Sequence, residues 1–311
     1  MSDALRVRAE VIKLARLLGR EADDLAYLHQ VHPAAIRRLR EQATDMLFEA
    51  QSRRLRRLAR ASRLLPPTVL ATIAERAFGP LLAGRVTGYL APARAGEVAA
   101  KLSVAFRADL AVEMDPRRTS DVIARLPAQS IAEVARELGQ REEYVTMGRF
   151  AGQLTDEALR AVFAVVDDAA LLRVAFVIED GERLDHVFGL LPAPRRAGFV
   201  RAAAAVDLWP EALDLLSRLS ERRCGELADA AAAQEAVLHS IVRAAQDDDL
   251  WNALLRAARA MGDENRRRLA ERLVGPVSEL NQTQREHIAE LARDAGVFDG
   301  LGALRAVLES R

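Results

Sequence analysis

The sequence predicts an all-α protein, a right-handed, solenoid-like superhelix of short helices, and three observations predict it. Between about residue 90 and residue 207 a helix start recurs roughly every 12 residues. Half of the 311 residues are apolar while only 5% are aromatic. No stretch of 4 to 8 residues alternates cleanly between apolar and polar side chains. The recurrence marks helices of two or three turns that cannot bury their apolar faces alone and must stack on their neighbours. Abundant alanine favours close helix packing over a sheet of β-branched and aromatic residues, and the missing alternation removes the strand signature.

Residues 3–19 read as a first helix. Leu5, Ile12, Leu14, Leu17 and Leu18 supply its apolar stripe, and Gly19 sits where a helix stops. A short segment, 21–29, follows. Pro33 then opens the longest predicted helix, to Leu65, with Ile36, Leu39, Ala43, Leu47, Ala50, Leu55 and Leu58 near heptad spacing. Pro66-Pro67-Thr68 ends it and begins the next, because proline biases the residue before it away from helix and itself fits a first turn. Phe78-Gly79-Pro80 breaks the chain again.

From there the rhythm takes over. Six segments show an apolar residue, then Pro, Asp or Thr, then a helix ending in Leu, Val or Phe. They begin at Leu90-Ala91-Pro92, Met114-Asp115-Pro116, Leu126-Pro127, Leu154-Thr155, Val166-Asp167 and Leu191-Pro192. Weaker starts at Ser103, Gln140 and Asp180 fill the gaps. After Trp209-Pro210 longer helices are predicted over 211–219, 221–232, 235–246, 250–261, 264–273 and 283–295. Gly262, Gly275 and Gly296 punctuate the later turns, and 301–309 caps the array. The organisation is therefore a basic helical cap (1–65), a short-helix repeat region (66–207) and a C-terminal helical region continuous with it (208–311).

Charge is balanced overall at 45 basic and 45 acidic residues, but residues 1–65 carry 14 against 8, a net +6 that leaves −6 for the rest. Only Lys13 and Lys101 are lysines among the basic residues, a bias of genome composition. The one cysteine, Cys224, excludes an internal disulfide and a thiolate zinc cluster and reads as a small helix-packing side chain. No apolar run approaches the roughly 18–20 residues of a membrane span. Charges within the first ten residues exclude a secretory leader, so a cytoplasmic location is expected.

Met114-Asp115-Pro116-Arg117-Arg118, Asp121-Val122-Ile123, Leu126-Pro127, Glu133-Val134 and Leu138, taken as one string, resemble the cytosolic N-terminal domain of MgtE-type magnesium transporters. The resemblance covers about residues 80–207 and implies a right-handed superhelix of short helices. No CBS pair or transmembrane bundle accompanies it in this sequence, so it carries over the fold and no functional residue.

Reactive motifs are missing: there is no G-x-S-x-G, P-loop or G-x-G-x-x-G. No catalytic residue, metal ligand or cofactor is assigned, and the chain reads as a non-enzyme. Asp167-Asp168, Glu179-Asp180 and Asp247-Asp248-Asp249 are carboxylate clusters that a hard cation would suit, but each falls at a helix start, where Asp caps free amides. His29 and His32 have helical spacing, yet Pro33 puts His32 outside the helix. Leu14 to Leu39 has helix-turn-helix spacing, with Arg37, Arg38 and Arg40 on the second helix, although a plain helical hairpin explains it as well.

Two features remain as binding candidates. Arg53, Arg54, Arg56, Arg57, Arg60 and Arg63 crowd one helix beside Leu55, Leu58 and Ala59. They would meet nucleic-acid phosphates or an anionic membrane face, or else pair with acids of the body. Met114, Met147, Phe150, Phe163, Phe176 and Phe188 recur along the repeats and would line an apolar groove, or simply fill the core. The expected function is a cytoplasmic scaffold that binds a protein partner through a curved surface. The alternatives are a carrier or sensor of a hydrophobic, lipid-like molecule, and nucleic-acid or anionic-membrane association through the arginines.

Overall fold

The computed structural model is all-α and describes residues 2–49, 52–178, 180–206, 208–247 and 250–310. Among these residues there is no strand. The helices are α1 (Ser2–Leu18), α2 (Pro33–Glu49), α3 (Ser52–Ala61), α4 (Pro67–Ile73), α5 (Gly79–Thr87), α6 (Pro92–Ala99) and α7 (Val104–Glu113). They continue as α8 (Pro116–Ile123), α9 (Ala128–Gln140), α10 (Tyr144–Ala151), α11 (Asp156–Phe163), α12 (Asp168–Val177), α13 (Gly181–Leu190) and α14 (Ala193–Ala205). The last are α15 (Trp209–Arg218), α16 (Glu221–Ala232), α17 (Glu235–Asp247), α18 (Trp251–Ala260), α19 (Asp263–Ser278), α20 (Gln282–Asp294) and α21 (Ala303–Glu309). Two compact units result, one over Arg6–Ala170 and one dominated by Leu171–Arg311, so the division falls inside the stretch read as repeats.

Local chemistry explains the starts. The Ser103 hydroxyl accepts from the Phe106 N–H (3.3 Å), Thr155 from Ala158 (3.3 Å), and the Asp180 carboxylate from Glu182 (2.9 Å). Each occupies an N-cap and satisfies an amide that the first turn leaves open. Asn281 and Gln284 form a reciprocal capping box at α20. Pro67, Pro92 and Pro116 sit in first turns. The start expected at Gln140 is displaced to Tyr144, because α9 runs on to Gln140 and the chain then turns through Glu142, whose φ is 58°.

Two elements differ from the sequence expectation. The long helix of 33–65 is described as α2 and α3 on either side of residues 50–51, which lie outside the described residues, and α3 gives way at Ala61 to a 3-10 turn, Ser62–Leu64. Gly275 does not end a helix: α19 continues through Gly275 and Pro276 to Ser278. Pro276 lies in the last turn, and the buried Val277 holds that turn in place.

Within each unit, helices pack mainly on the helix two places along. In Arg6–Ala170 the rows are α3, α5, α7, α9, α11 and α4, α6, α8. In the other unit they are α13, α15, α17, α19, α21 and α14, α16, α18, α20. The fold is thus helical-repeat-like. Leu70, Ala71 and Ala74 meet Val98 and Leu102 of the α6 region and Phe106 and Leu110 of α7 in one buried cluster. Gly225 of α16 permits a close backbone approach, since a Cβ there would overlap the Ala260 carbonyl at the end of α18.

A recurrent polar device fastens the layers. Arg94 of α6 donates to the Leu65 carbonyl after α3, Arg149 of α10 to Met114 after α7 (3.1 Å), Arg218 of α15 to Ile178 after α12, and Arg256 of α18 to Leu219 after α15 (2.9 Å). Each arginine comes from the helix three places on and supplies a cation to carbonyls that the helix C-terminus leaves unsatisfied. Arg256→Met should therefore lower unfolding free energy by about 1.5–3 kcal/mol, the usual worth of a charged hydrogen bond, as read by urea denaturation. An unchanged midpoint would show that the contact does not hold the layers.

Candidate functional site

Three places among the described residues have the chemistry of a site. The first is α3. Leu55 and Ala59 are buried against Val86, with Leu58, Leu82, Tyr89 and Leu90 packed around them. This apolar edge fixes the helix on α5 and turns Arg53, Arg54, Arg56, Arg57 and Arg60 outward, all exposed, with exposed Arg63 in the following turn. Among the described residues none of the six makes an ion pair, so the pairing with acids of the body is not found. Arg56 lies over the Tyr89 ring, 5.7 Å from its centroid. Beyond the arginines Leu64 is 87% exposed, and Leu65 and Val69 are exposed as well. Arg94, by holding the Leu65 carbonyl, fixes the turn that displays them.

The second place is a cavity of about 200 Å³ inside the unit Arg6–Ala170. Lys13 and Arg16 reach it from α1, Arg40 from α2, Arg85 from α5 and Arg149 from α10, while Glu113 and Asp115 enter at the end of α7. One wall is a buried ion-pair network. Lys13 lies 3.1 Å from Glu10, each side chain 3% exposed, and Arg37 and Arg40 approach the same carboxylate at 3.5 and 3.4 Å. Arg16 pairs with Glu143. Buried Asp115 caps α8 through the Arg117 N–H (3.1 Å) and pairs with the Arg117 and Arg118 side chains. Burial pushes the Arg149 guanidinium below its ordinary value; Asp115 opposes the shift, and Arg40, Arg16 and Arg117 add to it by repulsion.

The third place is an apolar cavity of about 70 Å³ in the other unit, lined by Phe188, Phe199, Trp209, Leu213 and Ile241 among others. Phe188 and Phe199 meet edge to face at 5.2 Å, and the Trp209 Nε1–H donates to the Ser240 hydroxyl (3.0 Å).

Of the six apolar candidates, Phe188 lines this cavity and Met114 lines the arginine-rich one; neither cavity takes two of the six. Met147 and Phe163 are buried, and Phe150 and Phe176 are half-buried. Asp167 and Asp180 act as caps, Asp167 accepting from the Ala170 N–H (2.8 Å) and Asp180 from two amides, whereas Asp247, expected at a helix start, is the last residue of α17. Glu179, Asp248 and Asp249 lie outside the described residues, and no group able to hold a metal ion is found among those described. His32 accepts the Ala34 N–H at the start of α2. The helix-turn-helix reading of Arg37, Arg38 and Arg40 loses Arg40, whose side chain is turned inward on Glu10 and only 14% exposed. Cys224 is fully buried, its thiol donates to the Leu216 carbonyl (2.9 Å), and burial pushes its pKa up. Among the described residues no helix is long and apolar enough to cross a membrane.

The charged cavity was not found by sequence reasoning, although one signal for it exists. Glu10 and Lys13 interrupt the buried stripe of Val7, Val11 and Leu14 on α1, and charges on a core face must be paired. Comparison of the chain with protein-family models, curated proteins and solved structures finds no match.

The network sets an asymmetric expectation. Glu10→Gln leaves Lys13 buried beside two arginines without their carboxylate and should cost about 3–5 kcal/mol in denaturant unfolding. Lys13→Met should cost clearly less, because Arg37 and Arg40 still neutralise Glu10. Equal losses would contradict the network as described.

Proposed function

We propose that this chain is a non-enzymatic cytoplasmic scaffold whose short helices form a right-handed superhelix and which binds a protein partner. The face of α3 is its contact. The observation that carries this reading is the set of six exposed arginines, unpaired among the described residues, beside the exposed side chains of Leu64, Leu65 and Val69. A cationic row next to apolar anchors has the composition of a protein interface that receives carboxylates and apolar side chains together. An interfacial membrane helix instead lays its own apolar face into the lipid, and α3 has already committed that face to Val86 and its neighbours. Helical arrays supply extended surfaces for such partners without any reactive residue, and the MgtE-like string of 114–138 supports the superhelical arrangement.

The test is photo-crosslinking in the cells that encode the chain, with the crosslinker at Arg57 and a control at exposed Gln282. The expected product is a defined protein captured at Arg57 and not at Gln282. Replacing Arg53, Arg54, Arg56 and Arg57 with glutamine should weaken the purified pair by roughly tenfold or more, about the loss of one arginine hot spot. Capture of lipid or nucleic acid, or equal capture at both positions, would overturn the reading.

The apolar cavity favours a second reading, a carrier of a small hydrophobic molecule. Organic extraction of protein purified from several hosts should then return one co-purifying apolar compound by mass spectrometry, whereas empty extracts would contradict it.

A further inference from the structure

Given α3 as the protein contact proposed above, the placement of its exposed side chains specifies the segment that covers it. At about 100° and 1.5 Å per residue, Arg53, Arg57 and Arg60 fall in one row, the second and third about 6 and 10.5 Å along the axis from the first. Arg54 and Arg56 flank the row, while Leu55 and Ala59 lie opposite it in the core. The row does not stop with the helix. The buried Ser62 hydroxyl donates to the Ala59 carbonyl (2.8 Å) and the Leu65 N–H to the Ser62 carbonyl (3.3 Å), which closes a 3-10 turn and leaves Leu64 87% exposed. Leu64 stands about 18 Å along the chain from Arg53, so the exposed line runs at i, i+4, i+7 and i+11.

Only one kind of occupant uses the whole of this line. Phosphates of nucleic acid would take the arginines and leave Leu64, Leu65 and Val69 without an apolar counterpart. A second copy docked through the same face would set arginine against arginine. The chain's own exposed carboxylate row on α20, Glu286, Glu290 and Asp294, has no large exposed apolar side chain beside it among the described residues of that helix. An extended peptide would bring N–H groups into the contact, and arginine offers them no acceptor while the carbonyls of α3 are spent within the helix. A helix arrives with its backbone already bonded.

We propose that the segment docking on α3 is an acidic amphipathic helix of the partner, with carboxylates at i, i+4 and i+7 and a large apolar residue at i+11. Two helices packed side by side lie about 8–10 Å apart, within reach of guanidinium forks. The carboxylates meet Arg53, Arg57 and Arg60, and the apolar residue seats on Leu64, with exposed Leu65 and Val69 following it in the chain. The spacing reads the same in both directions, so the end that holds the apolar residue sets the chain direction of the docked helix. Single surface ion pairs contribute little and are screened by salt. Register and the apolar anchor, and not charge alone, therefore select the segment.

The test is fluorescence anisotropy of the full chain with a stapled helical peptide carrying Glu at i, i+4 and i+7 and Leu at i+11. A second peptide has the same composition with its glutamates distributed around the helix. The matched peptide should bind saturably at one per chain and at least about tenfold tighter than the scrambled one. Leu64→Ser should weaken it about tenfold, and so, independently, should replacing Arg53, Arg57 and Arg60 together with glutamine. All four positions are exposed, and an unchanged melting temperature verifies that each variant keeps its fold. Equal binding of the two peptides, binding that Leu64→Ser leaves unchanged, or tighter binding of duplex DNA or phosphatidylserine vesicles than of the matched peptide would overturn the proposal. Failure of the matched peptide while a protein is still captured at Arg57 removes the helix and leaves the contact standing. Capture of lipid or nucleic acid at Arg57 removes both.

Discussion

An eight-residue helix such as α6, α8, α10 or α11 cannot stand alone in water, because the entropy of nucleating it exceeds what so few internal hydrogen bonds return. Each exists because its buried side chains fill a space made by other helices. Ala158, Leu159, Val162 and Phe163 of α11 are buried, and α11 packs on α9, whose Ala132, Ala135 and Leu138 are buried in turn. Small alanines let the axes approach, while leucines and phenylalanines fill the spaces between turns. Stability is therefore shared along a row, and the order of helices in the chain is the order in which they support one another.

Arginine serves this arrangement in two opposite ways. Turned inward, it completes the ends of helices: Arg94, Arg149, Arg218 and Arg256 each reach carbonyls left open three helices earlier. Arg141 adds a lateral tie, from the end of α9 to Asp109 of α7 (2.6 Å) and Glu137 (2.7 Å). Turned outward on α3, the same residue makes no ion pair among the described residues, while Leu55 and Ala59 are buried against Val86. Charge displayed on a packed helix costs less ordering entropy on binding than a flexible tail, which supports the contact proposed for α3.

Much of the fold was legible because helix starts are written locally. Ser103, Asp115, Thr155, Asp180 and Ser220 each cap the helix that follows, and Pro67, Pro92 and Pro116 sit where a missing N–H costs nothing. Asp167 was readable as a cap for the same reason, whereas Asp247 ends α17 and begins no helix. Long-range features were not legible. The carbonyl-capping arginines act across 29, 35, 40 and 37 residues, and nothing in the local pattern separates Arg149 from an exposed arginine. Heptad spacing over 33–65 concealed the end of α3 at Ala61, because apolar periodicity records which face is buried and not where the backbone turns. The six Met and Phe positions share a spacing without sharing a cavity, since residues on successive short helices point where each helix axis directs them.

The dependence of each helix on its row is tested most directly by native-state hydrogen exchange on Leu159→Ala, which empties a buried position of α11 at an expected cost of about 2–5 kcal/mol. The account predicts that amide protection falls first in α11 and α9, less in α7, and hardly at all in α18 and α20 of the other unit. An equal loss of protection in every helix of the chain would contradict it.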